Sequence, residues 1–406
     1  MNSSTSSSEQ VPGQRQIFLR IFLTILIGMA AAMGLVRGFT EAMGADSQAL
    51  LGRVLEGQQG LKRLLVEDED ELVMVYGSSM TDAGFSPRQF DQHIAAMGGD
   101  VSAWNFGFGG LNPMFQEFLA RRIVDDFNAH DRRLKLLLIE FNPFQTTKTR
   151  RNGAKAIEEP YMSLLLNGEE IFDKVVEDPE SGLRIAEIRY LRDGVSAEAI
   201  TTYFFAEPFQ ESSADASIEK DAAIEERINE LFAAYFPKHE QEFPNFADCD
   251  WCYDWKGGSA LASERSAELT AILAEYYSLA QADYRMQLDR LERIETSDII
   301  DLDFDEDLVV AFIEMVRVFK PIADNIEVIL LPKNDDWIQN PPEAVQRLQD
   351  VIARIERETG VRVRDFQKID AVSNDMFSDT THLNGREGRE AFTRFLAEEY
   401  AHLLVN

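Results

Sequence analysis

Three polar residues of this chain are of the types that cooperate in nucleophilic catalysis: Ser79, Asp379 and His382. Ser79 follows an apolar run through Gly77-Ser78, a pair that favours a sharp turn. Asp379 precedes His382 by three residues, a spacing at which the carboxylate can bind Nδ1 of the imidazole while Nε2 acts as a base. Each motif alone is common, since a Gly-Ser-Ser turn also suits a helix cap. The hypothesis of a Ser-His-Asp triad therefore depends on further residues.

Hydrogen-bond donors for a negatively charged oxygen follow two other apolar runs. The segment 105–110 is rich in glycine, and a glycine lets a bare backbone N–H approach a substrate oxygen. Asn142, two residues after Glu140, adds a side-chain N–H donor. Together with the backbone N–H of Ser79, these groups would form a three-donor oxyanion hole, which usually supplies the largest contribution to acyl-transfer catalysis.

The apolar runs before these motifs predict buried strands of a parallel sheet. Predicted strands cover 72–76, 101–106, 134–139, 326–331 and 361–364. Helical patterns occur at 85–97, 113–129, 341–358 and after Asn384. Strands that alternate with helices predict an α/β fold with a three-layer, doubly wound parallel sheet, whose ligand sites lie at the carboxyl ends of the strands. Because each of the four motifs follows a predicted strand or lies in a loop before the last helix, we expect them to meet.

The four motifs resemble the sequence blocks of the SGNH (GDSL-type) hydrolase superfamily. Gly77-Ser78-Ser79 is similar to the nucleophile block, 105–110 to the glycine block, Asn142 to the asparagine block, and 379–382 to the terminal DxxH block. The resemblance covers about 70–145 and 325–404. It implies a flavodoxin-like SGNH fold and a serine-dependent ester chemistry that needs no cofactor and no metal.

The resemblance also implies a role for each residue. Ser79 would be the nucleophile, and Asp379 and His382 would complete the triad. The oxyanion hole would consist of the backbone amides of Ser79 and Gly110 and the side chain of Asn142. His382 would remove the serine proton during attack on an ester carbonyl, and the covalent acyl-enzyme would then pass its acyl group to water or to a sugar hydroxyl. The motifs do not distinguish hydrolysis from transfer.

The motifs depart from the superfamily pattern at two places. Ser78 stands where a GDS block has Asp, and the segment 140–143 replaces the usual GxND. Gly109 remains an alternative to Gly110 as the oxyanion donor. With its apolar N-terminus, the chain is more similar to the membrane-anchored SGNH proteins of bacterial envelopes. Those proteins O-acetylate exopolysaccharides such as alginate or transfer D-alanine to teichoic acid, usually beside a membrane-bound O-acyltransferase.

The charge balance narrows the range of partners. The chain carries 71 acidic and 40 basic residues, a net charge of −31. This excess of acid argues against binding to nucleic acids and against docking on an anionic lipid surface. It also disfavours tight docking of acidic polymers such as uronic-acid chains, which a local basic groove that includes Arg88, Arg121 or Arg122 would offset.

The N-terminus predicts the compartment. The segment 17–36 is apolar over twenty residues, the length of a transmembrane helix, and its only charge, Arg20, lies near one end. Arg15 and Arg20 before the run favour a cytoplasmic N-terminus. We therefore predict a single-pass anchor in the bilayer of a bacterial inner membrane and a periplasmic catalytic domain. A signal peptide cleaved near Ala30-Ala31-Ala32 and a buried core helix are the alternatives.

The predicted organisation has five parts: a disordered cytoplasmic tail at 1–16, an anchor at 17–36, a stalk or helix at 37–69, a catalytic domain at 70–145 and 324–406, and a mostly helical insertion at 146–323. The insertion contains helical patterns at 218–235, 260–293 and 306–319. It also holds Cys249 and Cys252 in a CxxC pattern, which favours a disulfide outside the cytoplasm. Half of a metal site is the alternative, although the chain has no second CxxC to complete one.

The predicted function is serine-dependent acyl transfer outside the cytoplasm, as an O-acetyltransferase or O-acetylesterase of a cell-envelope polysaccharide. The expected partners are an acylated donor, an envelope carbohydrate acceptor and a membrane-bound O-acyltransferase. Two alternatives remain: a tethered general esterase or lipase, and a catalytically silent scaffold of a polysaccharide-modification complex.

Overall fold

A computed structural model of the chain describes residues 17–28, 31, 60–66, 70–153, 159, 162–163, 165–189, 222–235, 238, 265–282, 294, 298–385 and 387–405. The chain divides into two compact units. One comprises Met1–Leu51 and Met162–Ser213, and the other comprises Gly52–Tyr161 and Ala214–Asn406. All the strands named below, and the site built on them, belong to the second unit.

The second unit contains a parallel five-stranded sheet, which confirms the predicted α/β class. Its strands are β1 (Glu71–Ser78), β2 (Val101–Phe108), β3 (Leu134–Glu140), β4 (Ala323–Leu330) and β5 (Val363–Asp365). Every residue of β2 is buried, and in β1 only the first residue is exposed. Strands covered on both faces are continuously apolar, which is why hydropathy alone located them.

The sequence pattern ended β1 and β2 two residues too early and placed the start of β4 three residues too late. Pairing between β1 and β2 continues through Gly77 with Gly107 and Ser78 with Phe108. Glycine and serine do not extend an apolar run, so the prediction stopped before them. At the edge of the sheet, β5 is only three residues long and starts two residues later than predicted.

The strand order creates a crevice at the carboxyl ends of the strands. The order is β2-β1-β3-β4-β5, so the chain passes from β1 to one side and then returns to the other side to form β3. In open parallel sheets, ligands bind where the order reverses, outside the carboxyl ends of the two central strands. The residues directly after β1 and β3 therefore flank this crevice.

The described residues include the helices α1 (Ser79–Gly84), α2 (Pro87–Ala96), α3 (Pro113–Ala129), α4 (Lys148–Gly153), α5 (Gly168–Glu177), α6 (Pro179–Glu187), α7 (Ala222–Ala234), α8 (Ala267–Ala282), α9 (Glu306–Phe319), α10 (Pro342–Thr359) and α11 (Gly388–Leu404). Side-chain caps explain several of their starts. Ser78 caps α1 by accepting from the Met80 amide, and Asn112 caps α3 by accepting from two amides.

Helix α9 differs from its predicted placement in an insertion. Its Phe312 ring lies 4.8 Å from that of Phe141 after β3, and its Phe319 ring lies 4.9 Å from that of Tyr76 on β1. The physical reason is connectivity, since parallel strands such as β3 and β4 need a crossover that covers the sheet. Helix α9 provides that crossover, and the apolar face that packs on the sheet accounts for its helical pattern.

Several predictions about the N-terminus and the cysteines fall on residues outside the described ranges. Residues 17–28 form a helix, and 60–66 are helical as well. No helix in the described part of the chain has both the length and the apolar character to cross a bilayer. The tail at 1–16, most of 29–59, and both Cys249 and Cys252 lie outside the described residues.

Candidate functional site

The turn after β1 presents Ser79 and buries its neighbour. Ser78 ends the strand fully buried, whereas Ser79 begins α1 with a partly exposed side chain. Gly77 makes this turn possible, because a Cβ there would lie 2.2 Å from Oγ1 of Thr81 and 2.3 Å from Oε2 of Glu140. Any side chain at Gly77 would therefore displace the segment that holds Ser79.

The three predicted triad residues form one hydrogen-bonded chain. Oγ of Ser79 lies 2.8 Å from Nε2 of His382, and Nδ1 of His382 lies 2.7 Å from Oδ2 of Asp379. Because a carboxylate only accepts, Nδ1 carries the imidazole proton and Nε2 accepts from the serine hydroxyl. The histidine is 7% exposed, so its ring is held between these two partners. This is the tautomer that a general base requires.

The backbone of the loop before α11 holds the carboxylate in place. Oδ1 of Asp379 accepts from the backbone amides of Thr381 at 2.7 Å and His382 at 2.8 Å. Phe377 and Leu383 pair as an antiparallel bridge and close the loop at its base. The three-residue spacing noted in the sequence therefore corresponds to a turn in which one carboxylate binds both the backbone and the ring of the same histidine.

Asn142, directly after β3, points its side-chain amide at the turn that holds Ser78 and Ser79. Its Oδ1 accepts from the Phe144 amide at 2.9 Å, and its Nδ2 donates to Oγ of Ser78 at 2.9 Å and to Sδ of Met80 at 3.4 Å. A thioether is a weak acceptor, so a negatively charged oxygen would replace it readily. The backbone N–H of Ser79 lies in the first turn of α1, where helices leave amides without an intrahelical acceptor.

Gly110 has a conformation that glycine favours. Its φ is +77°, in the left-handed region. The guanidinium of Arg150 donates to its carbonyl through Nη2 at 2.9 Å, which fixes the peptide after it. At Gly109, a Cβ would make only an ordinary 3.6 Å contact with Cβ of Ser79. The two glycines that the sequence left as alternatives therefore differ in backbone conformation.

These groups surround an open cleft of about 290 Å³. The cleft is lined by Ser79, Met80, Gly110, Asn142, Phe144, Gln145, Arg150, Ile299, Thr381 and His382. Polar side chains stand beside three apolar ones in this lining. Apart from His382, Arg150 is the only ionisable side chain among them, which contrasts with the acidic balance of the whole chain.

The arginines named as candidates for a basic groove do not line this cleft. Arg121 pairs with Glu117 one helical turn away on α3, and the Arg122 guanidinium lies 4.8 Å from the centre of the Phe118 ring. Neither these two residues nor Arg88 contributes to the lining. Among the described residues, the permanently charged cation that lines the cleft is Arg150, which the sequence pattern did not single out.

The other histidines have structural surroundings, as their local sequence indicated. Nδ1 of His130 and of His402 each binds a backbone carbonyl three or four residues earlier in the chain. Partial burial lowers the pKa of His93 from its ordinary value. His239 lies outside the described residues.

Tyr76 precedes the turn on β1 and is fully buried. Burial, with a smaller contribution from the charge of Glu117, raises its pKa well above the ordinary value. Its hydroxyl donates to the carbonyl of Gln116 at 2.6 Å. Tyr76 is therefore a protonated donor that supports β1, and the geometry gives it no role as a base.

Within the described ranges, no cluster of three or more His, Cys, Asp or Glu residues could hold a metal ion.

Sequence reasoning noted Glu140 only as a departure from a motif. The structure places its carboxylate against Ser78 and Thr81, beneath the turn that holds Ser79. The available signal was a carboxylate that ends an otherwise apolar strand, together with a serine at the position where a GDS block has an acid.

Comparison with known proteins adds no functional assignment. No protein-family model matches the chain, and no curated protein is significantly similar to it. The functional interpretation therefore depends on the chemistry of the site.

Proposed function

We propose that this protein is a serine-dependent enzyme of acyl transfer that acts on an O-acylated carbohydrate of the bacterial cell envelope. The observation that carries the proposal is the chain from Ser79 through His382 to Asp379, with heavy-atom distances of 2.8 and 2.7 Å. Both distances suit proton transfer from a hydroxyl through an imidazole held by a carboxylate.

The proposed reaction has two steps. Ser79 Oγ attacks an ester carbonyl while Nε2 of His382 takes its proton, and Asp379 stabilises the imidazolium. The oxyanion accepts hydrogen bonds from the amides of Ser79 and Gly110 and from Nδ2 of Asn142. Collapse of the intermediate forms a Ser79 ester and releases an alcohol, which takes the proton from His382. Water or an acceptor hydroxyl then loses its proton to His382 and attacks the ester, which regenerates Ser79.

The topology supports an assignment to the SGNH superfamily. The strand order β2-β1-β3-β4-β5 is the flavodoxin-like order, and the residues of the resembling sequence blocks converge at its point of reversal. Ser79 follows β1 and Asn142 follows β3, the two strands that flank the crevice. An inner-membrane anchor at 17–36, a periplasmic catalytic domain and a membrane-bound O-acyltransferase partner belong to the same proposal.

The cleft favours a hydroxylated acceptor over a long acyl chain. Gln145, Arg150 and Thr381 bring hydrogen-bonding groups to its wall. A lipase needs an extended apolar surface for its substrate, whereas among the residues that the structure describes the apolar part of this lining is limited to Met80, Phe144 and Ile299. An esterase or transferase of short acyl groups on sugars therefore suits the cleft better than a lipase.

The test uses the full chain with 4-nitrophenyl acetate in the presence and absence of a neutral oligosaccharide. We expect nitrophenol release, an acetyl group trapped on the peptide that contains Ser79 after acid quenching, and acetylated oligosaccharide if the enzyme is a transferase. Release of nitrophenol without acetylation of the oligosaccharide would identify an esterase. Release that is unchanged in Ser79→Ala would refute the serine mechanism.

The two candidate oxyanion glycines differ in what alanine should do. Gly110→Ala is expected to lower kcat at least tenfold, because an L-residue at φ +77° costs on the order of 1 kcal/mol and moves the N–H away from the oxyanion. Gly109→Ala should change kcat by less than about threefold, because its Cβ makes only an ordinary contact. Steady-state kinetics with thermal melting as a folding control would measure both. The reverse ranking would assign the oxyanion role to Gly109.

A further inference from the structure

Glu140 ends β3 with a carboxylate that is buried directly beneath the nucleophile turn. The residue is 2% exposed. Oε2 accepts from the amides of Ser78 at 2.8 Å and Thr81 at 3.1 Å and from the Thr81 hydroxyl at 2.5 Å, and Oε1 accepts from the Ser78 hydroxyl at 2.6 Å. Four donors converging on one carboxylate suit its ionised form, which has no proton to give.

This arrangement sets the direction of the hydrogen bonds of Ser78. A serine hydroxyl has one proton, and Ser78 gives it to Glu140. Oγ of Ser78 is then an acceptor toward its other neighbours. It accepts from Nδ2 of Asn142 at 2.9 Å and from the Met80 amide at 3.2 Å.

The same chain of hydrogen bonds fixes the side-chain amide of Asn142 at both ends. Its Oδ1 must face the Phe144 amide, a donor, and its Nδ2 must face Ser78, an acceptor. The second N–H of Nδ2 is then the one near Sδ of Met80, which lines the cleft. That N–H is the group available to an oxyanion once substrate displaces the thioether.

We propose that Glu140 is a positioning residue that acts through Ser78 to orient the amide of Asn142 toward the oxyanion. This inference rests on the proposed function, since the oxyanion forms only if Ser79 attacks a carbonyl. It explains together the two departures from the superfamily blocks, because the serine at 78 and the acid at 140 are hydrogen-bonded partners in one network.

Glu140→Gln tests the direction of the network. The amide of glutamine can donate to Oγ of Ser78 and so reverse that hydrogen bond, which leaves Nδ2 of Asn142 facing a donor. We expect kcat to fall by about tenfold to a hundredfold, at or below the lower limit of the roughly 10²- to 10³-fold loss seen when an oxyanion donor is removed outright, with KM changed less than about threefold. Ser78→Ala, which removes the acceptor for Asn142, should reproduce this pattern and serves as a second variant if Glu140→Gln does not fold.

Thr81→Val provides a matched control. It removes another hydrogen bond to the same carboxylate while leaving the bonds between Glu140, Ser78 and Asn142 in place. We expect a loss of thermal stability comparable to that of Glu140→Gln, with kcat within about twofold of the unmodified protein. If Thr81→Val lowers kcat as much as Glu140→Gln does, the role of Glu140 is structural and the inference is overturned.

A double-mutant cycle separates positioning from a general loss of packing. In an Asn142→Ala background, Glu140→Gln should lower kcat by no more than about twofold, because the group it positions is gone. Multiplicative losses in the double variant would show that Glu140 acts independently of Asn142 and would overturn the proposal.

A readout that needs no turnover distinguishes this inference from the proposed function. The full chain labelled with ¹⁵N-asparagine would report the side-chain amide of Asn142, assigned by its disappearance in Asn142→Asp. Glu140→Gln should move these resonances, and Thr81→Val should leave them in place. If the unmodified protein hydrolyses no ester but the shift occurs, the proposed function fails, and only the orientation of the Asn142 amide by Glu140 stands, without a role at an oxyanion. Unchanged resonances in Glu140→Gln would overturn the inference whatever the activity.

Discussion

Ser79→Ala and His382→Ala are each expected to lower kcat for ester hydrolysis by about 10⁶-fold, the loss typical of removing a nucleophile or its base from a serine triad. The distance of 2.8 Å between the two reacting atoms makes them one functional unit. Without the hydroxyl no acyl-enzyme forms, and without the imidazole the hydroxyl keeps its proton. The double variant should therefore be no slower than either single variant.

His402→Ala is the matched control for the loss of a histidine. His402 lies on α11, exposed, with Nδ1 bound to the Glu399 carbonyl of its own helix. Its replacement should leave kcat and KM unchanged. The measurement is kcat on 4-nitrophenyl acetate with circular dichroism of every variant. A loss below tenfold in Ser79→Ala would show that the hydrolysis arises elsewhere and would contradict the proposed mechanism.

Asp379→Asn is expected to lower kcat by about 10⁴-fold while preserving the fold. Two backbone amides donate to Oδ1 of Asp379, so the carbonyl oxygen of an asparagine must take that position. Its NH₂ group then faces Nδ1 of His382, which must become an acceptor. The imidazole proton moves to Nε2, and His382 can no longer take a proton from Ser79.

Asp379→Ala separates the effect of the wrong His382 tautomer from the effect of losing the carboxylate. The alanine variant has no NH₂ group to impose the wrong tautomer, so we expect it to retain at least as much activity as Asp379→Asn when both are folded. Steady-state kinetics together with thermal melting would provide the comparison. A decrease of less than tenfold in Asp379→Asn would show that Asp379 does not set the protonation of His382.

Much of the architecture followed from hydropathy, because a parallel sheet buries both faces of its strands. The runs in β1, β2 and β3 were apolar enough to be located within two residues at each end. Helix α9 was recognised as a helix but not as the crossover between β3 and β4. A helical period shows that one face is buried, and it does not show what that face packs against.

The candidate site followed from the sequence only in part. Ser79, Asp379, His382 and Asn142 were identified from their positions after strands or in a polar loop. The structure brings Ser79, Asn142 and His382 to one cleft and hydrogen-bonds Asp379 to His382. Arg150 was missed because it lies in a short helix outside any strand–turn pattern. Its role depends on contact with Gly110, a residue distant in the chain.

The sequence by itself determined which chemical groups this protein carries and that they follow the strands of a parallel α/β sheet. Those properties depend on apolar runs and on residues that favour turns, and both are set by residues close together in the chain. The tertiary structure alone decided the partners: which glycine takes the left-handed conformation, which oxygen of Asp379 holds His382, and that Glu140 binds Ser78. Such contacts join segments far apart in the chain, and their distances and hydrogen-bond directions arise only when the whole sheet has packed.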